Sequence, residues 1–542
     1  MKKRNILQNS MIATICIIAC KIIGLIYVIP FNAMISKSAG ALYSYAYNIY
    51  VIFLSLSTTG IPLAVSKLVS EYDSLEYYDT RDRVYKISMK LIFLIGLLCF
   101  VIMVVFAKPM AFLIIGDAVG NNTVDDVANV IRIISLALLI VPPLSVVRGY
   151  LQGHNYITES SISNVIEQFV RVIVILLGCI LIIKVFNLDE KLAIGVAVFS
   201  AAISAFASYI YLKYKMFKNK KQFDTNYKIK DEEKKITAKK IAKDIMLCAL
   251  PFIIVEVLKS AYATVDTVTI VRGLTNLGYS ISDAETTFSV IATWGNKLCT
   301  VVISVAIGIS MSLIPSVAGD YVKGKIDKVN EKYNSSMLLL LITTLPMTLG
   351  IFFLAKPVWI VFYGYDYLSI EVFKLYIFQA ITFSFFSVLI SFCQTVGKTK
   401  IALISLLISF ILNAIFNIPF MHLCDYIGIG GYQGATVCTL VTQILPAVFL
   451  IIYIKKSFNF NYKDLTKNTL KILLCNILMM ITLYLIKLIY PINSLTRIGS
   501  LLECLIYGII GCIIYIFLLI KLGLFKDLFG NSRILKKLKL VK

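Results

Sequence analysis

The sequence predicts an all-α polytopic membrane protein with about 14 transmembrane helices. Three observations support this fold class. Hydrophobic residues make up 59% of the 542 residues, they are grouped in segments of membrane length, and Lys and Arg are concentrated in alternate connections. A helix needs about 20 apolar residues to cross the hydrocarbon core of a bilayer. Soluble domains contain only about 45–50% apolar residues, so the composition excludes an ordinary soluble fold.

Fourteen apolar segments are candidate membrane-spanning helices. In chain order, the predicted helices cover 11–35, 43–65, 91–107, 133–152, 165–183, 192–212, 244–271, 290–314, 335–355, 372–395, 401–421, 434–454, 472–486 and 500–520. Because the number of crossings is even, both termini are expected on the same side of the membrane.

The distribution of Lys and Arg predicts which side that is. The two tails and alternate connections hold 38 of the 53 Lys and Arg residues, whereas the opposite connections hold 8. Positively charged residues favour cytoplasmic connections. Both termini are therefore predicted to be cytoplasmic. The net charge of +23 indicates topology and contact with anionic membrane lipids, and it does not indicate nucleic-acid binding.

The chemistry-bearing residues predict neither a metal site nor a catalytic centre. The twelve cysteines are scattered through apolar segments without a CxxC pair, and there are only two histidines. A structural zinc site needs paired ligands at characteristic spacings. The acids of the outer loop 108–132 have no supporting base, and no phosphate-binding GxxxxGK[ST] motif is present. A transporter is thus favoured over a membrane enzyme or an ATPase.

Two similar segments reveal an internal repeat. Residues 107–117 read "AKPMAFLIIGD" and residues 355–366 read "AKPVWIVFYGYD", and each follows an apolar helix. This predicts two six-helix halves that run parallel, an architecture of transporters whose substrate site lies between the halves. The predicted divisions are an N-terminal half, a basic cytoplasmic linker, a C-terminal half, and two additional helices with a basic tail: 1–212, 213–243, 244–455 and 456–542.

Charged residues within the predicted helices are candidates for the substrate site. Lys21 lies near the middle of the first helix, Lys297 on the eighth, and Glu256, Lys259 and Asp266 along one stripe of the seventh. A charge at that depth costs about 3 kcal/mol and usually faces a cavity or a partner. We expect the three lysines to bind a phosphate or diphosphate group. The two carboxylates are candidates for ion coupling or for counter-charge.

Two further groups have other predicted roles. Glu167 and Arg171 are four residues apart in the favourable order for an ion pair on one helix, and Arg148 ends the preceding helix. We expect these three residues to tie helices together. Gly60 and Pro62, in the run Thr-Thr-Gly-Ile-Pro, interrupt the second predicted helix and are candidate hinge residues.

Three motifs carry a resemblance to a known family. The segments "GIPLAVSKLVSEY", "RGYLQGHN" and "SISNVIEQFVRV" together resemble the polysaccharide biosynthesis and export branch of the MATE-like (MOP) superfamily. Within that branch, the chain is similar to the group of stage V sporulation protein B and the MurJ-type lipid II flippases of Gram-positive bacteria. The resemblance extends over essentially the whole chain, including the arrangement of six, six and two helices.

The resemblance implies a flippase of the bacterial plasma membrane. Its substrate would be an undecaprenyl-diphosphate-linked cell-wall precursor, with lipid II first among the candidates. In the family, a cation-rich cavity receives the diphosphate. By this resemblance Lys21 and Lys297 stand where arginines are usual, and Tyr27 stands at the position of a second first-helix arginine.

Several alternatives stay open at this point. The substrate class includes capsule, teichuronic and spore-cortex precursors, and a MATE-type antiporter of cations or drugs is a further candidate. No cofactor is expected. The candidate energy sources are the membrane potential or a coupling ion, namely Na⁺, H⁺ or Cl⁻. Cell-wall synthesis enzymes are candidate partners.

Overall fold

The computed structural model describes residues 16, 19–58, 60–116, 122–154, 156–218, 231–322 and 324–524. All regular secondary structure in these ranges is helical. Twelve spans are long and apolar enough to cross a membrane. The shorter apolar helix Ala19–Met34 and the 39-residue helix Ala238–Asn276 accompany them. The predicted all-α membrane fold is confirmed.

The chain divides into two compact units, Met1–Ser289 (unit 1) and Val290–Lys542 (unit 2). The helices of unit 1 are α1 (Ala19–Met34), α2 (Lys37–Thr58), α3 (Ile61–Ser74), α4 (Tyr78–Val105), α5 (Ala107–Ile115), α6 (Val124–Ser135), α7 (Val141–Gly153), α8 (Ile157–Cys179), α9 (Glu190–Lys218), α10 (Asp231–Lys234), α11 (Ala238–Asn276) and α12 (Ile281–Ser289). A 3₁₀ turn at Leu136–Leu139 joins α6 to α7, and a π-helical segment at Ile180–Val185 extends α8.

Unit 2 begins with a π-helical segment, Val290–Trp294, which directly follows α12 in the chain. Its helices are α13 (Gly295–Val322), α14 (Ile326–Phe353), α15 (Ala355–Tyr363), α16 (Tyr367–Tyr376), α17 (Gln379–Thr395), α18 (Thr399–Tyr426), α19 (Gly434–Phe458), α20 (Lys463–Ile489) and α21 (Arg497–Lys521). A 3₁₀ turn at Gly431–Gln433 precedes α19.

Most helices are longer than the predicted spans, because polar residues at their ends continue the helix beyond the apolar segment. The predicted helix 91–107, for example, corresponds to α4, which begins at Tyr78. The predicted helix 43–65 is wrong as a single element, since α2 ends at Thr58 and α3 begins at Ile61. Between them Gly60 has a φ of 80°, which is not a helical value and is accessible mainly to glycine.

Glycine contacts bring α3 and α7 of unit 1 close together. A Cβ atom at Gly149 would lie 2.5 Å from the Pro62 carbonyl oxygen, and one at Gly153 would lie 2.8 Å from the Ser66 carbonyl oxygen. Neither position leaves room for a larger residue without displacing backbone. The "RGYLQGHN" motif therefore serves helix packing through its two glycines.

The core of unit 1 is completed by α11, which begins at Ala238, within the predicted linker 213–243. Four of its residues are buried among side chains of α3, α4 and α7: Ile241, Ile245, Ala249 and Ile253. The compact unit therefore extends beyond the predicted N-terminal half 1–212 and linker 213–243. The predicted halves were defined by the sequence repeat. Their use as domain limits stays a prediction.

Both copies of the repeated segment adopt the same local structure. The helices α4 and α14 each have 28 residues, and each is followed by a helix of nine residues, α5 or α15. The two short helices end at Gly116 and Gly364, with φ of 63° and 86°. A positive φ explains why the repeat retains glycine at its end.

Unit 2 contains a second close contact and a polar seam. A Cβ atom at Gly434 of α19 would lie 2.3 Å from the Met421 Cα atom of α18. Beside this contact the Asn413 amide donates to Thr439 Oγ1 (3.1 Å), and Ser409 Oγ donates to the Thr442 carbonyl oxygen (2.6 Å). Buried polar groups of this kind join neighbouring helices where no water is available.

Candidate functional site

Arg148, Glu167 and Arg171 form an ion cluster inside unit 1, named here the arginine cluster. Arg148 Nη2 lies 2.8 Å from Glu167 Oε2, and Arg171 Nη2 lies 2.7 Å from Glu167 Oε1. The Glu167 side chain is 14% exposed. Since one carboxylate faces two guanidinium groups, the cluster keeps a net positive charge.

Serine hydroxyl groups accept further hydrogen bonds from the two guanidinium groups. Arg148 donates to Ser163 Oγ (2.8 Å) on α8 and to Ser208 Oγ (3.0 Å) on α9. Arg171 donates from Nε to Ser204 Oγ (3.4 Å), also on α9. The cluster thus brings α7, α8 and α9 together. These are the contacts that a structural tie requires, and the role itself stays a prediction.

The first helix, α1, lies beside the arginine cluster. The Cys20 thiol is within electrostatic range of Arg148, Glu167 and Lys21. A Cβ atom at Gly24 would lie 3.0 Å from Gln168 Nε2 of α8. Lys21 is exposed and forms no ion pair within the described part of the chain. Lys21 was predicted to bind substrate and the arginines to tie helices together. The fold places all of them in one region of unit 1.

Tyrosines of α2 surround the Arg171 guanidinium. Tyr43, Tyr47 and Tyr50 interact with it electrostatically, and the rings of Tyr43 and Tyr47 stack with centroids 5.6 Å apart. Tyr27 of α1, at the position of a family arginine, is buried and interacts with Tyr43. These tyrosines place aromatic rings and phenol groups next to the Arg171 guanidinium.

Lys297 belongs to unit 2, at the start of α13. Its Nζ lies 4.4 Å from the centroid of the Trp294 ring, a cation–π contact. The Tyr363 hydroxyl donates to the Trp294 carbonyl oxygen (2.8 Å), and this hydrogen bond fixes the π-helical segment. The half-buried ammonium group is therefore positioned by an aromatic ring.

The stripe on the seventh predicted helix is described in part. Glu256 and Lys259 lie on α11, but their side chains are outside the described residues. Asp266 lies on the same helix and is 5% exposed. The binding role predicted for Lys259 and the coupling or counter-charge role predicted for Glu256 and Asp266 stay predictions.

Gly60 and Pro62 lie at the break between α2 and α3. Pro62 occupies the first turn of α3, where its missing N–H group costs nothing. The close approach of Gly149 packs α7 directly against this break. The structure shows the interruption of the helix, and hinge motion at this point stays a prediction.

Glu285 is a buried acid that was not among the candidates predicted from the sequence. It lies before the predicted helix 290–314, but the observed helix begins at Ile281 and encloses it. Glu285 Oε1 accepts a hydrogen bond from Asn122 Nδ2 (3.1 Å). The polar run "SDAETTFS" resembles a loop in composition, and so no signal in the sequence separated Glu285 from solvent-exposed acids.

Comparison with known families gives two matching profiles. The profile described as "Polysaccharide biosynthesis protein" matches residues 6–318, and the MatE profile matches residues 291–418. Together they cover most of the helices of both units.

Individual relatives agree with these profiles. The chain is 29% identical to the protein "Lipid II flippase MurJ" of Bacillus subtilis (strain 168) over 534 residues, which is 97% of both chains. It is 22% identical to "Stage V sporulation protein B" of the same organism, with 70% of this chain and 72% of the relative aligned.

Solved structures share the fold. A lipid II flippase MurJ in an inward closed conformation matches with a TM-score of 0.68 and 15% identity, covering 95% of this chain and 99% of that chain. An inward-facing MATE family multidrug resistance transporter of the MOP superfamily matches with a TM-score of 0.64 and 12% identity, covering 83% and 96%. At these identities the structural likeness supports the fold and leaves the substrate to other evidence.

Proposed function

Because the chain belongs to the polysaccharide biosynthesis protein family, in the MATE-like MOP superfamily, we propose that it is a lipid II flippase. It moves this undecaprenyl-diphosphate-linked peptidoglycan precursor from the inner to the outer leaflet of the bacterial plasma membrane, and it is a transporter rather than an enzyme. The observation that carries this proposal is the 29% identity to a lipid II flippase along 97% of both chains.

The cations of both units suit a diphosphate group. Lysine ammonium groups bind phosphate oxygens as point charges, and guanidinium groups bind them in pairs. Lys21 and the arginine cluster supply positive charge in unit 1, and Lys297 supplies it in unit 2. Lys259 is proposed as a further substrate contact. The net positive charge disfavours a site built for cationic drugs.

Alternating access is the proposed mechanism of transfer. The substrate binds in an inward-open state and leaves from an outward-open state, with Gly60 and Pro62 as the proposed hinge. Membrane potential or a coupling ion biases the cycle, with Glu256 and Asp266 as proposed coupling groups or counter-charges. Both termini are proposed to be cytoplasmic, where the basic linker and tail contact anionic lipids, and cell-wall synthesis enzymes are proposed partners.

The proposal is tested by rescue of bacteria depleted of their own lipid II flippase. Three forms are compared at matched membrane levels: the intact chain, a Lys21→Ala/Lys297→Ala variant and a Lys21→Arg/Lys297→Arg variant. We expect growth with the intact chain and with the arginine variant, because both keep the cations. Growth should be lost with the alanine variant.

Each other result has a definite meaning. Rescue by the alanine variant would retain the substrate but remove the two lysines from its binding site. No rescue by the correctly inserted intact chain would contradict lipid II as the substrate. In that case, export of another lipid-linked oligosaccharide or of a cationic drug would be measured next, since the MatE profile also matches residues 291–418.

A further inference from the structure

Glu285 is a buried carboxyl group with no cation beside it in the described part of the chain. Its residue is 5% exposed. One hydrogen-bond donor that reaches it is Asn122 Nδ2, at 3.1 Å from Oε1, and the same amide group also donates to the Ser38 carbonyl oxygen at 3.0 Å. An N–H group of a neutral amide is a weak replacement for the water that an ionised carboxylate would lose.

The Tyr45 hydroxyl lies next to the same carboxyl group. Tyr45 is fully buried, and its ring stacks on Phe288 of α12 with centroids 4.6 Å apart and an interplanar angle of 15°. Its hydroxyl lies close enough to the Glu285 carboxyl group to interact with it as a hydrogen-bond donor, although the contact is looser than an ordinary hydrogen bond. The two groups that reach Glu285, an amide and a phenol, are therefore both neutral.

The surrounding charges do not supply a counter-ion. The helix α12 packs against α2 and α11. Tyr45 is the titratable group that reaches Glu285 from α2, and on α11 Arg272 instead donates to the Phe112 carbonyl oxygen (2.6 Å). Asp266 of α11 is itself acidic. On α12, Asp283 is exposed and accepts a hydrogen bond from Ser280 Oγ (2.7 Å).

A proton on Glu285 fits these neutral surroundings. An ionised carboxylate that has no cation beside it is strongly disfavoured in a buried position, so such a group is ordinarily neutralised. A proton on Oε2 turns the carboxylate into an acid whose O–H group can donate to the Tyr45 oxygen, while Asn122 continues to donate to Oε1. A metal cation fits less well, because Asn122 presents its N–H group and not its carbonyl oxygen.

We propose that Glu285 is a proton-binding site of the transport cycle. In the conformation described, the carboxylate holds one proton taken from water, and it returns that proton to water when α12 becomes hydrated. The coupling part of this inference rests on the proposed flippase function, whereas the proton-binding part does not. The site lies five residues before Val290, where the same helix becomes π-helical and unit 2 begins. Such π-helical segments often mark functional positions.

Infrared spectroscopy of the purified full chain in lipid nanodiscs tests proton binding directly. The carbonyl stretching band of a protonated carboxylic acid is recorded from about pH 5 to about pH 9. We expect a band at neutral pH that Glu285→Gln removes and Tyr45→Phe shifts. The matched control is Glu503→Gln, which should keep the band, because Glu503 is buried but paired with Lys487 at 3.1 Å. Absence of a band dependent on Glu285 throughout this range would overturn the proposal.

Rescue of flippase-depleted bacteria tests the coupling. We expect Glu285→Gln, which resembles a permanently protonated acid, to insert normally and to lose rescue, and Glu285→Asp to retain it. Full rescue by Glu285→Gln would show that the proton is not part of the cycle and would refute that part of the proposal. If the intact chain itself fails to rescue, lipid II transport is refuted, and the infrared result still decides whether Glu285 binds a proton.

Discussion

Glu167 shows how a membrane-embedded cluster can be stable and still carry charge. Its two oxygens each accept a hydrogen bond from a different arginine, and serines of α8 and α9 occupy further N–H groups. Removing one member of such a buried group leaves the others without compensation. The carboxylate therefore balances one of the two guanidinium charges, and the cluster as a whole keeps one positive charge.

Replacement of Glu167 by glutamine tests this balance. We expect Glu167→Gln to lower the stability of the purified protein by about 2 kcal/mol, because the amide oxygen can accept a hydrogen bond from only one arginine and the amide NH2 group faces the other arginine as a second donor. Thermal unfolding in detergent measures the change. Glu159→Gln on the same helix is the matched control, because Glu159 makes no ion pair in the described part of the chain. Equal stability of the two variants would argue against a structural tie.

Some contacts of individual residues could be predicted from the sequence, and others could not. The spacing of Glu167 and Arg171 predicted their ion pair, because residues four apart share one helix face. The tyrosines around Arg171 and the burial of Glu285 depend on contacts between helices that are distant in sequence. No local pattern encodes those contacts.

At the scale of elements, small residues decide how closely helices approach. Gly149 and Gly153 are one turn apart on α7 and both face the backbone of α3. Apolar side chains gain little from leaving lipid for protein, so close packing provides much of the helix association energy in a membrane. The contact at Pro62 therefore stabilises both the break between α2 and α3 and the packing of α3 against α7.

A single methyl group is enough to test this contact. We expect Gly149→Ala to destabilise the protein by about 1–3 kcal/mol, because its Cβ would overlap the Pro62 carbonyl group. The matched control is Gly350→Ala on α14, where nothing lies within 4 Å of the added Cβ, and it should be neutral or stabilising by up to about 1 kcal/mol. Thermal unfolding distinguishes the two, and an equal response would refute the packing argument.

At the scale of the whole molecule, the asymmetry of Lys and Arg predicts the orientation. We expect a fusion of green fluorescent protein after residue 225 to fluoresce and a fusion of alkaline phosphatase there to be inactive. After Ile429, in the connection between α18 and α19, the two results should be reversed. Active phosphatase after residue 225 would invert the proposed topology.

The limits of unit 1 give a second prediction at this scale. A fragment of residues 1–289 should accumulate in membranes and resist limited proteolysis, whereas a fragment of residues 1–230 should be degraded. The shorter fragment lacks α11 and therefore leaves the side chains that contact Ile241 and Ile245 without their partners. Equal resistance of the two fragments would show that α11 is dispensable for this core.

The fold was predictable at this scale because hydrophobic length and charge asymmetry are properties of single segments. The approximate number of membrane-spanning helices, their order and the repeated segment at 107–117 and 355–366 all follow from such properties. The boundary between the compact units was not predictable. It depends on how α11 packs against α2, α3, α4 and α5, and those contacts join residues far apart in the chain.

The position of α11 affects how the protein folds while it is being synthesised. Domains generally fold as they leave the ribosome, with the N-terminal part first. Here the last buried residue of the first core is Ile253 of α11, so nearly half of the chain must be translated before that core is complete. Until then, the surface of the earlier helices that α11 will cover is exposed in the membrane. The insertion machinery can shield that surface during this time.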